Sequence, residues 1–248
     1  MKIADYIPFY KRNILLALPI VLSQIGQVTV HLVDNMMVGH VGTPELAAAS
    51  FANNVFMIGL YFGMGITYGL TPLIGNAFSK GKIQEVTILL KNGVFTHLAV
   101  AFVLTAVMFG IYFILPLLGQ PIEVLNLAKP YFLLLCLSYL PFMLFFSMKQ
   151  FFEGIGNTKM AMQITLIANA VNVIVNYVFI FGKFGFPEMG LNGAGVGTLV
   201  SRLFMPLLFV FYIVKSPKIK KYFVDARKQV FNTEKIIAIL KIGIPIGL

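Results

Sequence analysis

Six long apolar stretches constrain this sequence more than any other feature. A stretch of about 20 apolar residues is long enough to cross a lipid bilayer as an α-helix. Period-two alternation is absent, and helices satisfy their own backbone groups in lipid, so we predict an all-α membrane protein with a six-helix bundle. The stretches cover residues 14–38, 46–78, 93–118, 127–148, 160–182 and 193–214, and a seventh starts near Ile236 and runs to Leu248.

The composition excludes a soluble enzyme. Hydrophobic residues make up 58% of the 248 positions and charged residues only 11%. Soluble domains average about 45–50% and about 25%. Metalloprotease, phosphate-loop and hydrolase motifs are missing, and no span carries paired carboxylates, so we predict that the protein is not an enzyme.

The basic residues predict the orientation of the spans. Lys and Arg concentrate in cytoplasmic loops of membrane proteins. Sixteen of the 19 basic residues lie in the N-terminal flank and in segments 79–92, 149–159 and 215–241, whereas the opposite loops hold only Lys129 and Lys183. This predicts a multi-pass protein of the inner (plasma) membrane with a cytoplasmic N-terminus. The formal net charge of +10 then reflects topology, and no nucleic-acid partner is needed.

A weak internal repeat suggests two related halves. Pro19 in the first span and Pro245 near the chain end have similar apolar neighbours, and many transporters contain such repeats. We therefore expect a six-helix lobe over 1–214, a basic cytoplasmic linker over 215–234, and the first helix of a second lobe over 235–248. On this reading the chain is a fragment of a twelve-span protein.

Asp34 is an acidic residue inside an apolar run, and ionisable groups in lipid are functional candidates by default. The alternative is an acid at the membrane interface. His31 lies one turn earlier, where it could pair with Asp34. Arg202, inside the sixth stretch, is the one candidate base within the membrane.

The fifth stretch carries polar residues on one helix face. Thr165, Asn169, Asn172 and Asn176 recur at helical spacing. Two interpretations stay open: hydrogen bonding between helices, or a cavity for a cationic ligand. In the sixth stretch, small residues such as Gly193 and Gly197 predict close helix packing.

The motifs resemble the MATE (multidrug and toxic compound extrusion) family, and its NorM-like branch in particular. The resemblance implies two six-helix lobes and export of organic cations in exchange for Na⁺ or H⁺. It also implies that Asp34 is the acid of the N-terminal lobe cavity. In some proton-coupled relatives an Asp occupies the position of Asn176. The segments that carry the resemblance are Leu32–Gly39, Phe152–Lys159, Asn172–Gly190 and Gly193–Thr198.

We therefore predict a secondary active multidrug efflux antiporter that works by alternating access. Its expected partners are small cationic or amphiphilic drugs, the lipid bilayer and the second lobe; no cofactor is expected beyond the coupling ion, with Na⁺ near Asp34 and no other metal. The alternatives are a flippase for lipid-linked precursors, or a non-transporting helical scaffold. Besides Asp34, the predicted site comprises Asn169, Asn172, Asn176 and Thr198, with His31 and Tyr139 as secondary candidates.

Overall fold

The computed structural model describes the backbone of residues 7–248 and the side chains from Asn13 onward. Lys2 and the side chains of Lys11 and Arg12, on which the predicted orientation partly depends, lie outside the described residues. The N-terminal end of the predicted 1–214 lobe lies outside them as well.

The described residues fold into helices joined by short connections. Six of these helical segments are long and apolar enough to cross a membrane, which confirms the predicted six-helix membrane bundle. The helices are α1 (Ile7–Gly39), α2 (Thr43–Tyr68), α3 (Leu70–Ser79), α4 (Ile83–Ile114), α5 (Ile122–Gly154), α6 (Thr158–Phe181), α7 (Gly190–Lys215), α8 (Pro217–Lys228) and α9 (Thr233–Gly247).

The predicted boundaries needed two corrections. The second apolar stretch is divided at Gly69 into α2 and α3, because Pro72 has no N–H to donate to the Tyr68 carbonyl. Helix α4 begins at Ile83, ten residues before the apolar run. Its first ten residues include Gln84, Glu85, Lys91 and Asn92, which interrupt the apolar pattern, so the sequence pattern missed this part of the helix.

Helix α5 is the centre of the bundle and packs against α2, α3, α4 and α7. Phe56 of α2 meets Phe132 edge to face, with 6.4 Å between the ring centroids. Such interdigitation is what holds helices together in lipid, where apolar burial alone gives no preference for protein over acyl chains. The largest fully buried side chains of α5 are Phe132, Tyr139, Phe145, Phe146, Lys149, Phe151 and Phe152.

Helix α1 lies at the edge of the bundle, where it packs mainly along α6 and makes fewer contacts with α2 and α7. Many of its apolar side chains are exposed, as Leu15 and Leu32 illustrate. Its looser association with α2 leaves a space between α1 and the rest of the bundle.

The segment after α7 packs back onto the bundle. Helix α8 buries Ile219 and Ala226 and is otherwise strongly basic. Helix α9 packs against α2 with unusually close backbones: a Cβ atom added to Gly243 would lie 2.7 Å from the Cα of Ile66. Lys235 of α9 forms an ion pair with Glu85 of α4.

Candidate functional site

A cavity opens between α1, α2, α5, α6 and α7. Together with its open mouth it takes in about 1110 Å³ of space that protein atoms leave empty. Its wall mixes apolar side chains with polar groups. The predicted site residues that line it are His31, Asp34, Asn169, Asn172 and Thr198.

Asp34 faces the asparagine stripe of α6. The amide nitrogen of Asn176 donates to the Asp34 carboxylate at 2.6 Å and lies 3.3 Å from the Asn172 carbonyl oxygen. The Asn172 amide donates in turn to the Ser201 hydroxyl of α7 at 3.1 Å. A continuous row of hydrogen bonds thus joins α1, α6 and α7. The stripe therefore bonds helices together, and Asn169 and Asn172 also line the cavity; a cationic ligand in this cavity stays a prediction.

The small residues of α7 make room for this row. A Cβ atom at Gly193 would lie 2.6 Å from the carbonyl oxygen of Phe179, so α6 and α7 are in backbone contact here. One turn further on, Gly197 lies directly against the Asn176 side chain. The predicted close packing is confirmed, and it explains how Asn176 fits between two helices.

Several polar atoms around the cavity have no protein partner in the described structure. The Asn169 amide nitrogen and the Asn176 carbonyl oxygen are both buried without a hydrogen bond, and so is the Gln27 amide nitrogen. Buried polar groups are normally paired, since an unpaired one costs about 1–3 kcal/mol. Asn169 and Gln27 are cavity-lining residues, but these particular nitrogen atoms lie behind the cavity surface.

The secondary candidates fall in different places. His31 lines the cavity, but no hydrogen bond or ion pair joins it to Asp34 among the described residues. Tyr139 lies away from the cavity wall: it is fully buried, and its hydroxyl donates to the Gly59 carbonyl at 2.9 Å. In this structure Tyr139 packs α5 against α2, because the side of α5 that faces the cavity carries Tyr131, Leu135 and Phe142 instead.

Arg202 is a charged cavity residue that the sequence pattern did not assign to the site. Its side chain is 7% exposed, and its guanidinium donates to the Ser138 hydroxyl at 2.7 Å. The guanidinium also lies 4.4 Å from the centre of the Phe142 ring. A base within an apolar run was the available signal, but hydropathy does not reveal which side of α7 faces inward.

Asp34 supplies two carboxylate oxygens, and the Asn176 amide presents its nitrogen to one of them. Within the described residues, no group of three His, Cys, Asp or Glu side chains could hold a metal ion. A carboxylate oxygen is a ligand that hard cations accept. The same carboxylate can hold a proton.

Comparisons with known proteins agree on one family. The MatE family model matches residues 19–178. The chain is 28% identical over 239 residues to the probable multidrug resistance protein NorM of Agrobacterium fabrum, covering 96% of this chain and 51% of that protein. It is 30% identical over 230 residues to the probable NorM of Streptococcus pneumoniae serotype 4, covering 92% and 51%. The chain therefore spans about half the length of these relatives.

Solved structures show the same fold. A MOP superfamily transporter from Pyrococcus furiosus superimposes with a TM-score of 0.85 at 20% identity, over 96% of this chain and 52% of that one. The eukaryotic MATE transporter AtDTX14 superimposes with a TM-score of 0.84 at 18% identity, over 98% and 53%. With the family model matching well over half of its residues, this chain belongs to the MatE family, the multidrug and toxic compound extrusion family that its motifs resemble.

Proposed function

We propose that this chain forms the N-terminal lobe of a secondary active efflux antiporter, which exports cationic or amphiphilic drugs in exchange for Na⁺ or H⁺. The named relatives support the drug as cargo, since they are called multidrug resistance proteins. The proposed setting is the inner membrane with the N-terminus in the cytoplasm, as the distribution of basic loop residues predicts. Helix α9 would then be the first helix of the second lobe.

The observation that carries the proposal is the Asp34 carboxylate at the cavity wall, held by Asn176. A charged group inside a membrane protein is costly and is retained where it serves transport. A single carboxylate at the wall of a cavity binds one cation at a time. A drug cation and a coupling ion therefore exclude each other at Asp34, which is the physical requirement for antiport.

Helix α1 is suited to transmit the occupancy of Asp34. It is the peripheral helix of the cavity, and its contact with α6 includes the bond between Asp34 and Asn176. Pro19 lies within α1, and the Ser23 hydroxyl donates to the Pro19 carbonyl at 2.8 Å. Helices bend readily at proline. We propose that occupation of Asp34 shifts α1 against α6 and so favours one of the two orientations of the lobes.

The charge of the cavity argues against the flippase alternative. Such proteins have strongly cationic cavities for anionic lipid headgroups, as the family resemblance implies. Among the described residues, the charged side chains that line the cavity are one acid, Asp34, and one base, Arg202, so their formal charges balance. A balanced cavity suits small amphiphiles better than a polyanionic headgroup.

The test is dye efflux from a drug-sensitive bacterial host that expresses the protein from its own gene, with Asp34→Asn as the variant. Asp225→Asn is the matched control, because it removes one carboxylate from the basic segment outside the cavity. We expect Asp34→Asn to lower the efflux rate at least tenfold and Asp225→Asn to leave it unchanged. Imposing a Na⁺ gradient or a pH gradient separately on membrane vesicles then identifies the coupling ion.

Full efflux by Asp34→Asn, at matched expression, contradicts the proposal. Membrane insertion and folding of the variant are checked by thermal unfolding in detergent. A scaffold without transport activity would show no efflux in the wild type either.

A further inference from the structure

We infer that the lobe cavity contains a second recognition point, an anion site at Arg202, and that its preferred substrates are zwitterionic amphiphiles. The cationic amine of such a substrate faces Asp34, and its carboxylate meets Arg202. The inference rests on the proposed function, because it specifies the substrate class of the same cavity.

Arg202 is held by neutral groups and forms no salt bridge among the described residues. Its guanidinium donates to Ser138 at 2.7 Å and lies over the rings of Phe142 and Phe56, at 4.4 and 5.3 Å from their centres. These contacts fix its orientation. None of them supplies a negative charge, and no ion pair joins Arg202 to Asp34 among the described residues.

Most hydrogen-bond donors of Arg202 remain available. A guanidinium has five N–H donors, and one hydrogen bond from this group is found in the described structure. The remaining nitrogens are not sealed in the core: they are not among the fully buried side-chain atoms without a partner, and Arg202 lines the cavity. Arg202 is 7% exposed and lines the cavity, so a ligand there can come into contact with it.

The arrangement of charges defines the ligand. Asp34 on α1 and Arg202 on α7 line the same cavity, and neither forms a salt bridge within the described residues. Unpaired charges in a poorly hydrated space are costly, and a ligand that carries both charges relieves both costs. A purely cationic ligand pairs with Asp34 but is repelled by Arg202. The planar guanidinium favours a carboxylate, which it can bind through two parallel hydrogen bonds.

The apolar part of the wall fits an amphiphile. Phe142 and Tyr131 line the cavity beside Arg202, together with Leu60 and Met64 of α2. Aromatic and methionine side chains accommodate flat, apolar ring systems of varied shape. The site therefore combines two opposite charges with an adaptable apolar surface.

The probes are tetramethylrhodamine, which is zwitterionic through its free carboxylate, and its methyl ester, which is cationic and otherwise the same dye. Their dissociation constants are measured by fluorescence polarisation on the purified protein, expressed from its own gene and held in lipid nanodiscs. The readout is a ratio, the dissociation constant of the methyl ester divided by the dissociation constant of the free acid. We expect this ratio to exceed one in the wild type.

We expect Arg202→Gln to lower the ratio at least tenfold, since hydrogen bonds to charged groups contribute enough affinity for such a change. Arg202→Lys keeps the positive charge but lacks the planar guanidinium that donates two parallel hydrogen bonds, so the ratio should recover in part. Lys215→Gln is the control: it removes one exposed positive charge from the end of the same helix, outside the cavity, and should leave the ratio unchanged.

A ratio in Arg202→Gln within twofold of the wild-type value overturns the inference. If neither Arg202 variant folds, the wild type decides, and an ester that binds as tightly as the acid overturns the inference as well. Failure of the proposed function looks different. In that case Asp34→Asn retains full efflux, while the ratio still responds to Arg202.

Discussion

The side-chain amide of Asn176 donates a 2.6 Å hydrogen bond to the carboxylate of Asp34, a residue 142 positions earlier in the chain. The bond connects the peripheral helix α1 to α6 at the cavity wall. Asn176 is itself fully buried and rests against Gly197. The acid is therefore oriented by a fixed partner, and this partner is the first residue whose replacement should alter transport without removing the charge.

Replacing Asn176 with leucine should lower the efflux rate about tenfold. Leucine has a similar volume but no donor, and hydrogen bonds to charged groups contribute about 1.5–3 kcal/mol. Asn126→Leu is the control, because Asn126 is an exposed asparagine of α5 outside the cavity. Dye efflux and thermal unfolding are measured on both variants. Normal efflux by a folded Asn176→Leu protein would show that the bond has no part in transport.

The pair Lys149 and Glu153 should be important for stability. Their side chains are 1% and 7% exposed at the end of α5, and the charged atoms are 3.8 Å apart. Lys149→Met leaves a buried carboxylate without its partner, and such losses cost about 3–5 kcal/mol. We expect a clearly lower unfolding midpoint in detergent. Lys149→Met combined with Glu153→Leu should recover most of the loss.

The control for this pair is Lys82→Met, which breaks a surface ion pair whose lysine is 61% exposed. Exposed ion pairs contribute at most about 1 kcal/mol to stability, so the unfolding midpoint of Lys82→Met should change little. A double variant that is no more stable than Lys149→Met alone would contradict the interpretation of Lys149 and Glu153 as a mutually compensating pair.

The contact between α2 and α9 should not tolerate a single added methyl group. A Cβ atom at Gly243 would lie 2.7 Å from the Cα and 2.9 Å from the carbonyl carbon of Ile66, where neither backbone can yield locally. Overpacking of this kind costs about 1–3 kcal/mol. We expect Gly243→Ala to lower the unfolding midpoint. Gly110→Ala in α4, which meets nothing within 4 Å, is the control and should not lower it.

The proposed orientation can be tested by cysteine labelling. The native Cys136 is fully buried and should not react with a maleimide in the folded protein. Phe184, 85% exposed between α6 and α7, is predicted outside, whereas Lys82, between α3 and α4, is predicted in the cytoplasm. A membrane-impermeant maleimide should label F184C in intact cells and K82C only after permeabilisation. The reverse labelling pattern would contradict the predicted orientation.

The sequence predicted several features of the site because they depend on residue type and spacing. Asn169, Asn172 and Asn176 are spaced three and four residues apart, which places them on one face of any α-helix. The structure confirms that they are buried together. The packing of Gly193 could be predicted for the same reason, since small residues at helical spacing allow close approach. Tyr139 could not be placed, because its burial against Gly59 depends on the rotation of α5 within the bundle.

The sequence by itself determined the class of protein and the approximate position of six spans, because hydropathy is a property of each segment and of the lipid around it. It also showed which polar groups have to find partners. Only the tertiary structure decided which partners they find: Asn176 for Asp34, and Ser138 with Phe142 for Arg202. Those pairings depend on how five helices are rotated about their axes, and packing between segments distant in the chain sets these rotations.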